Sequence, residues 1–215
     1  MYVPTLPGRL LWRRPVGDLV VRLRSIGHSL AAYHARTARQ ADFDHTRLIA
    51  KIQEGAEALR TNVPGWLKPE ARMDQPTTVV PAIKGFEVRN ARVAGGRIWL
   101  FDPGRVRDEP PEADIARFLV SLRMCGWGTP YFVVPLDTIS LEAAFMEGYL
   151  GVRAFDAQVL ALFVAREALW NWREGRDAIA SKGLPRVMRA LMAGVYVEIP
   201  FRRLWLAATK PSRST

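Results

Sequence analysis

Asn90 and Asp102 are the residues of this chain whose types and spacing could do chemistry together. They bound the stretch NARVAGGRIWLFD, an alternating apolar pattern split by Gly95-Gly96, which predicts a two-residue β-hairpin with strands at 91–94 and 97–101. An amide and a carboxylate held side by side at the open end of a hairpin can chelate a hard divalent cation. Mg²⁺ prefers such oxygen ligands. That pairing points to phosphoryl transfer. A catalytic base is expected a few residues before Asn90, and no aspartate stands there; Glu87 is the one nearby carboxylate.

The elements that must position this hairpin are helical. Leu19, Leu23, Ile26, Leu30, Ala31 and His34 recur at helical spacing, predicting a helix over 19–38 with Asp18 as its cap. Asp44 is expected to cap a second helix with Leu48, Ile49, Ile52, Ala56 and Leu59 on its inner face. Residues 61–76 hold three prolines and a glycine and read as irregular, and Val79, Val80 and Ile83 give a short apolar approach to the hairpin. Asp102-Pro103-Gly104 ends it abruptly. After Pro110-Pro111, the residues Ile115, Phe118, Leu119 and Leu122 make one helical stripe. Ser140 is expected to cap the next helix, and Phe155–Trp172 is the strongest helical segment, with Trp170 and Trp172 packing helices together. Two more helices are expected near 186–195 and 198–208, then a disordered tail, 210–215.

Composition narrows the class. With 215 residues the chain can bury a sizeable core. A single cysteine, Cys125, excludes an internal disulfide and reads as a small buried hydrophobe. The three histidines are scattered, which argues against zinc, and His34 reads as a hydrogen-bonded core residue. No secretory signal is read at the N-terminus, and no uncharged apolar run reaches the roughly 18–20 residues of a membrane span, so a cytoplasmic location is expected. The net charge of +10 favours anionic partners, but the arginines are dispersed and form no dense block with interleaved aromatics. No specific nucleic-acid partner is expected. Arg202-Arg203-Leu204-Trp205 could suit a lipid interface, although an ordinary terminal helix is the better reading, so membrane contact is not expected.

The order of these elements resembles the carboxyl-terminal lobe of the aminoglycoside phosphotransferase (choline-kinase-like) family, within the protein-kinase-like fold. YVPTLPG is similar to that family's hinge, and IGHSLAAYHA to its first large helix with a Leu-Ala-x-x-His ending. FEVRNARVAGGRIWLFDPG resembles its catalytic loop and metal-binding turn, and PPEADIARFLVSL and FMEGY resemble later helices. The fold this implies is mainly α with a small β-hairpin: a kinase-like large lobe over residues 1–209, lacking the amino-terminal β lobe. It divides into a hinge-like segment 1–17, helices 18–60, the loop and hairpin 79–104 and a helical subdomain 110–209.

The resemblance implies that Asn90 and Asp102 hold Mg²⁺ and the phosphates of ATP, and that Asp114 fixes the catalytic loop by accepting backbone N–H bonds. Ile83 stands where the family has histidine, and Gly85 where it has the catalytic aspartate. The expected function is therefore a truncated or degenerate phosphotransferase with weak or no kinase activity. The alternatives are an active small-molecule kinase using Glu87 as base, with the nucleotide lobe missing from the chain, and a non-enzymatic basic module for an anionic partner. Expected partners are a nucleotide and a hydroxyl-bearing small molecule. Leu10, Leu11 and Trp12 are expected to be exposed where the missing lobe would lie, favouring self-association or a partner chain.

Overall fold

A computed structural model describes residues 9–10, 16–59, 77–94, 97–100, 104, 106–126 and 138–209. The tail, the 61–76 segment, Leu11, Trp12, the burial of Leu10 and the side chain of Cys125 lie outside what is described. The elements run β1 (Arg9–Leu10), α1 (Val16–Thr37), β2 (Arg39–Ala41), α2 (His45–Ala58), β3 (Thr77–Ile83), a 3₁₀ turn (Val88–Asn90), β4 (Ala91–Ala94), β5 (Arg97–Leu100), β6 (Val106–Glu109), α3 (Glu112–Gly126), α4 (Thr138–Leu150), α5 (Ala157–Ala180), α6 (Arg186–Ala193), a π-helical turn (Gly194–Glu198) and α7 (Ile199–Thr209). The chain sorts into two compact units that alternate along the sequence. One is Met1–Ala41 with Thr78–Phe155, the other Asp42–Thr77 with Asp156–Thr215.

The first unit is built on α1, α3 and α4. The apolar face of α1 is buried at Leu19, Leu23, Ile26, Leu30, Ala31 and His34, as the spacing predicts. Asp18 is not the cap: the helix begins at Val16, so Asp18 lies in its first turn, where a carboxylate still suits the helix dipole. Helix α3 is buried on every side from Ala113 to Val120. Helix α4 begins at Thr138, which puts Ser140 inside its first turn rather than at the cap. Arg123 of α3 grips Glu142 of α4 with two bonds of 2.8 Å, the fork-on-fork geometry that carries more energy than a single contact.

α1 and α4 cross backbone against backbone. A Cβ on Gly27 would stand 2.0 Å from the Phe145 carbonyl oxygen, and one on Gly148 would stand 1.9 Å from that of Arg24. Only glycine leaves room for this approach.

Two three-stranded sheets are present, where the sequence predicts a single hairpin. The expected hairpin is present, with Ala91 opposite Leu100 and Ala94 opposite Arg97, and β1 extends it through Arg9 opposite Val93. The second sheet has the order β2-β3-β6, with β3 and β6 antiparallel and Ile83 opposite Val106. The apolar approach at 79–83 is thus a full strand that carries Pro81, whose carbonyl accepts from the Tyr33 hydroxyl at 2.8 Å.

The second unit packs α2 and α7 on α5. Asp44 caps α2 by accepting from the Arg47 N–H, and Asp156 caps α5 by accepting from Gln158 and Val159. Helix α5 runs to Ala180, eight residues beyond the predicted end at Trp172. Trp172 packs on Phe201, as expected, while Trp170 is 47% exposed. The π turn before α7 has a cause: Pro200 has no N–H to continue the ladder, and the Ile199 N–H instead reaches the Gly194 carbonyl. Among the described residues no helix is long and apolar enough to cross a membrane.

His45 sits at the start of α2, its Nε2 3.1 Å from the Thr77 hydroxyl and its ring edge-on to Phe43. Burial pushes this imidazole below its ordinary 6.5, against the opposing pull of Asp156 and Asp44. The folded state therefore binds fewer protons than the unfolded chain just below that value. Stability contributed by neutral His45 is present above pH 6.5 and is lost as pH falls through 6.5 toward the folded-state pKa. Urea midpoints measured across this window should fall with pH in the parent and fall less steeply in His45→Gln.

Candidate functional site

The loop from Ile83 to Asn90 is held from behind by one face of α3. The buried carboxylate of Asp114 accepts from the Ile83 N–H at 2.9 and 3.1 Å. Arg117 donates to the Ile83 carbonyl at 2.8 Å and to Asp114 at 2.9 Å, and pairs with Glu109 of β6 at 3.4 Å. The Ser121 hydroxyl accepts from the Val88 N–H at 3.0 Å and donates to the Phe118 carbonyl at 2.8 Å. These residues stand at i, i+3 and i+7, the spacing that shares one helical face. A ladder of rings completes the support: Phe86 lies 5.3 Å from Phe118, which stacks on Phe145 at 4.5 Å.

The clamp is anchored in a buried polar chain. The imidazole of His34 bridges the Asp114 carboxylate, 3.2 Å from Nε2, and the Tyr149 hydroxyl, 3.0 Å from Nδ1. A carboxylate can only accept, so Nε2 carries the ring proton and Nδ1 accepts from the tyrosine. Burial pushes the Tyr149 phenol well above its ordinary value, which keeps it the donor this chain requires. Every member thus has a partner, the condition for a stable buried polar network. His34 plays the structural part that its helical setting suggests.

With its back fixed, the loop presents Lys84, Gly85, Glu87, Arg89 and Asn90 at or near the surface, while Phe86 and Val88 are buried. The Asn90 side-chain N–H donates to the Gly85 carbonyl at 3.0 Å, so the amide oxygen is its remaining polar atom. Glu87 is ion-paired with Arg89 at 2.5 Å. Asp102 lies outside the described residues. Gly104, two positions on, has φ +64°, and a Cβ there would stand 3.2 Å from that of Lys84 and 3.5 Å from the Gly85 nitrogen. Gly104 therefore lies against the loop, beside Lys84 and Gly85.

Asn90, Gly85 and Glu87 thus share one short loop, and Gly104 reaches it. Sequence reasoning missed Arg117 and Ser121. Their signal was present: a cation and a hydroxyl at helical spacing from Asp114 in the otherwise apolar ADIARFLVSL.

No protein-family model matches the chain, and neither does any curated protein. Solved structures do. A glucosamine kinase in one crystal form superposes with a TM-score of 0.64 at 16% identity, covering 90% of this chain and 54% of the kinase. A second crystal form gives 0.63 at 18% identity, covering 93% and 60%. Glucosamine kinase in complex with glucosamine, ADP and inorganic phosphate gives 0.62 at 17% identity, covering 91% and 57%. The chain thus spans little more than half the length of these structures. The likeness shows that it has a kinase-like fold.

Proposed function

We propose that this chain is the large lobe of a phosphotransferase-like protein of the aminoglycoside phosphotransferase type, spanning residues 1–209. It holds a magnesium nucleotide weakly through Asn90 and Asp102 and turns over slowly or not at all. The observation that carries the reading is the clamped loop, which ties Asn90 to the carbonyl of residue 85 while residue 85 itself offers no carboxylate.

The residues fit the proposed cation. The Asn90 amide oxygen is a hard donor, and Gly104, two positions after Asp102 in the sequence, lies against the same loop. Bound there, Mg²⁺ would neutralise charge on the nucleotide's phosphates. The protein's own part is positioning: α3 fixes the loop backbone, and the loop fixes the amide. The kinase neighbour's complex with glucosamine and ADP supports a nucleotide together with a hydroxyl-bearing small molecule, an amino sugar being the first acceptor to try.

The low turnover follows from chemistry. Glycine cannot take the acceptor's hydroxyl proton, and loss of a positioned base costs about 10²–10⁴ in rate. Glu87 is the nearest substitute, but its ion pair with Arg89 supports a carboxylate engaged elsewhere. Calorimetric titration of ATP with Mg²⁺ into the purified chain should show metal-dependent binding that weakens at least about tenfold in Asp102→Ala, as for a lost charged contact. No binding to the parent would overturn the nucleotide site. Ordinary kinase rates from the parent would overturn the degenerate reading.

A further inference from the structure

Helix α6 is highly exposed. All residues from Arg186 to Leu191 are exposed, and α6 has no buried residue. Yet its sequence, RVMRALMA, is not that of a solvated helix. Val187, Leu191 and Val195 stand at i, i+4 and i+8, with Met188 beside them, and all four are exposed, Val187 at 82% and Leu191 at 63%. They form an apolar ridge along α6 and into the π turn. Scattered exposed apolar residues need no explanation, but a stripe at helical spacing does.

The charge around the ridge is one-sided. Between Asp177 and Glu198 the chain has no acidic residue, while Lys182, Arg186 and Arg189 are all basic and exposed. The pattern differs from the sequence's own candidate for lipid contact, Arg202-Arg203-Leu204-Trp205. There the apolar pair is buried: Leu204 lies in the core, and Trp205 packs on Phe201.

We propose that α6 is a docking element for an anionic phospholipid surface. Charge complementarity chooses the occupant. With 3.6 residues per turn, Arg186 and Arg189 fall on the side of α6 away from the ridge, so the helix divides into an apolar face and a face of one charge sign, the division that suits a helix lying in an anionic interface. A lipid interface accepts the ridge among its acyl chains and the guanidinium and ammonium groups among its phosphates, with the long basic side chains reaching up to the headgroups. The contact is peripheral and reversible, since eight residues bury little area. It does not depend on the phosphotransferase reading.

The test is co-sedimentation of the full chain with vesicles of phosphatidylcholine, with and without phosphatidylserine, at low and high salt. The parent should bind the serine-containing vesicles at low salt, and binding should weaken as salt rises. Arg186→Gln with Arg189→Gln should reduce it about 25-fold, from about 1 kcal/mol per basic residue. Val187→Ser with Leu191→Ser should reduce it by at least about tenfold, from the apolar area lost. Because these positions are solvent-facing, both variants should keep the parent's circular dichroism and melting temperature. Failure of the parent to bind would overturn the proposal. So would equal binding to neutral vesicles, binding unchanged in either variant, or a dimer in sedimentation that Leu191→Ser abolishes without any vesicle binding.

Discussion

Gly148→Ala will cost about 3 kcal/mol or more, the upper range for forcing a methyl group into a packed contact. Gly27→Ala should do the same. The new Cβ at position 148 would meet the Arg24 carbonyl oxygen at 1.9 Å and its carbonyl carbon at 2.8 Å, and none of these is a side-chain tip that can swing away. The helices must part along the crossing, which also separates His34 from Tyr149. Urea denaturation of the two variants beside Gly194→Ala measures it. A Cβ on Gly194 meets nothing within 4 Å, so that substitution should be neutral or stabilise by up to about 1 kcal/mol, the helical preference for alanine. Equal midpoints for Gly148→Ala and Gly194→Ala would show that the crossing is looser than described.

The second large effect is at Asp114. Replacing it with alanine takes the nearer carboxylate from the buried Arg117 guanidinium, which keeps Glu109 and the Ile83 carbonyl, and removes the acceptor of the Ile83 N–H and a partner of His34. Breaking a buried ion pair from one side costs about 3–5 kcal/mol, because the remaining charge stays desolvated. Arg117→Ala leaves the carboxylate with the Ile83 N–H and His34 and should cost less. The double variant Asp114→Ala/Arg117→Leu should be milder than the sum of the singles, since it also removes the guanidinium that has lost its nearer carboxylate. A double-mutant cycle on thermal unfolding reads the coupling, and strict additivity would show that the pair is not energetically joined. Amide exchange at Ile83 should also accelerate in Asp114→Ala, a local readout of the loop.

How much of this was legible beforehand depends on how each residue makes its contacts. The faces of α1 and α2 were readable because one side of each meets apolar neighbours and the other meets water, so Leu23, Ile26, Leu48 and Ile52 repeat at the helical period. Asp114 was readable through its motif, and the structure gives it the backbone-accepting role expected. The edge strands β2 and β6 were not. Arg39-Gln40-Ala41 and Val106-Arg107-Asp108-Glu109 are largely exposed, so no alternation betrays them, and their pairing is set by β3. The end of α5 was missed because Arg173, Glu174, Arg176 and Asp177 interrupt its apolar period before Ile179 returns to the core. Asp18 and Ser140 lie two residues inside their helices rather than at the caps. Both are good capping types, but type alone does not say which turn a residue occupies. The motif glycines could be found by their settings, IGHSL and FMEGY, yet nothing in either segment says that they meet.

That meeting joins residues far apart in the chain, and it bears on synthesis. Helix α1 finds its partner only when α4 has been made, and the intervening stretch includes α2, which belongs to the other unit and itself waits for α5. At about 5–20 residues added per second, the apolar face of α1 stays uncovered on the ribosome for on the order of ten seconds. The first unit cannot close until α4 is made, and the second waits for α5 and α7. A nascent chain stopped anywhere before Tyr149 has no completed core, and during that interval it is a natural client for chaperones that hold exposed helices.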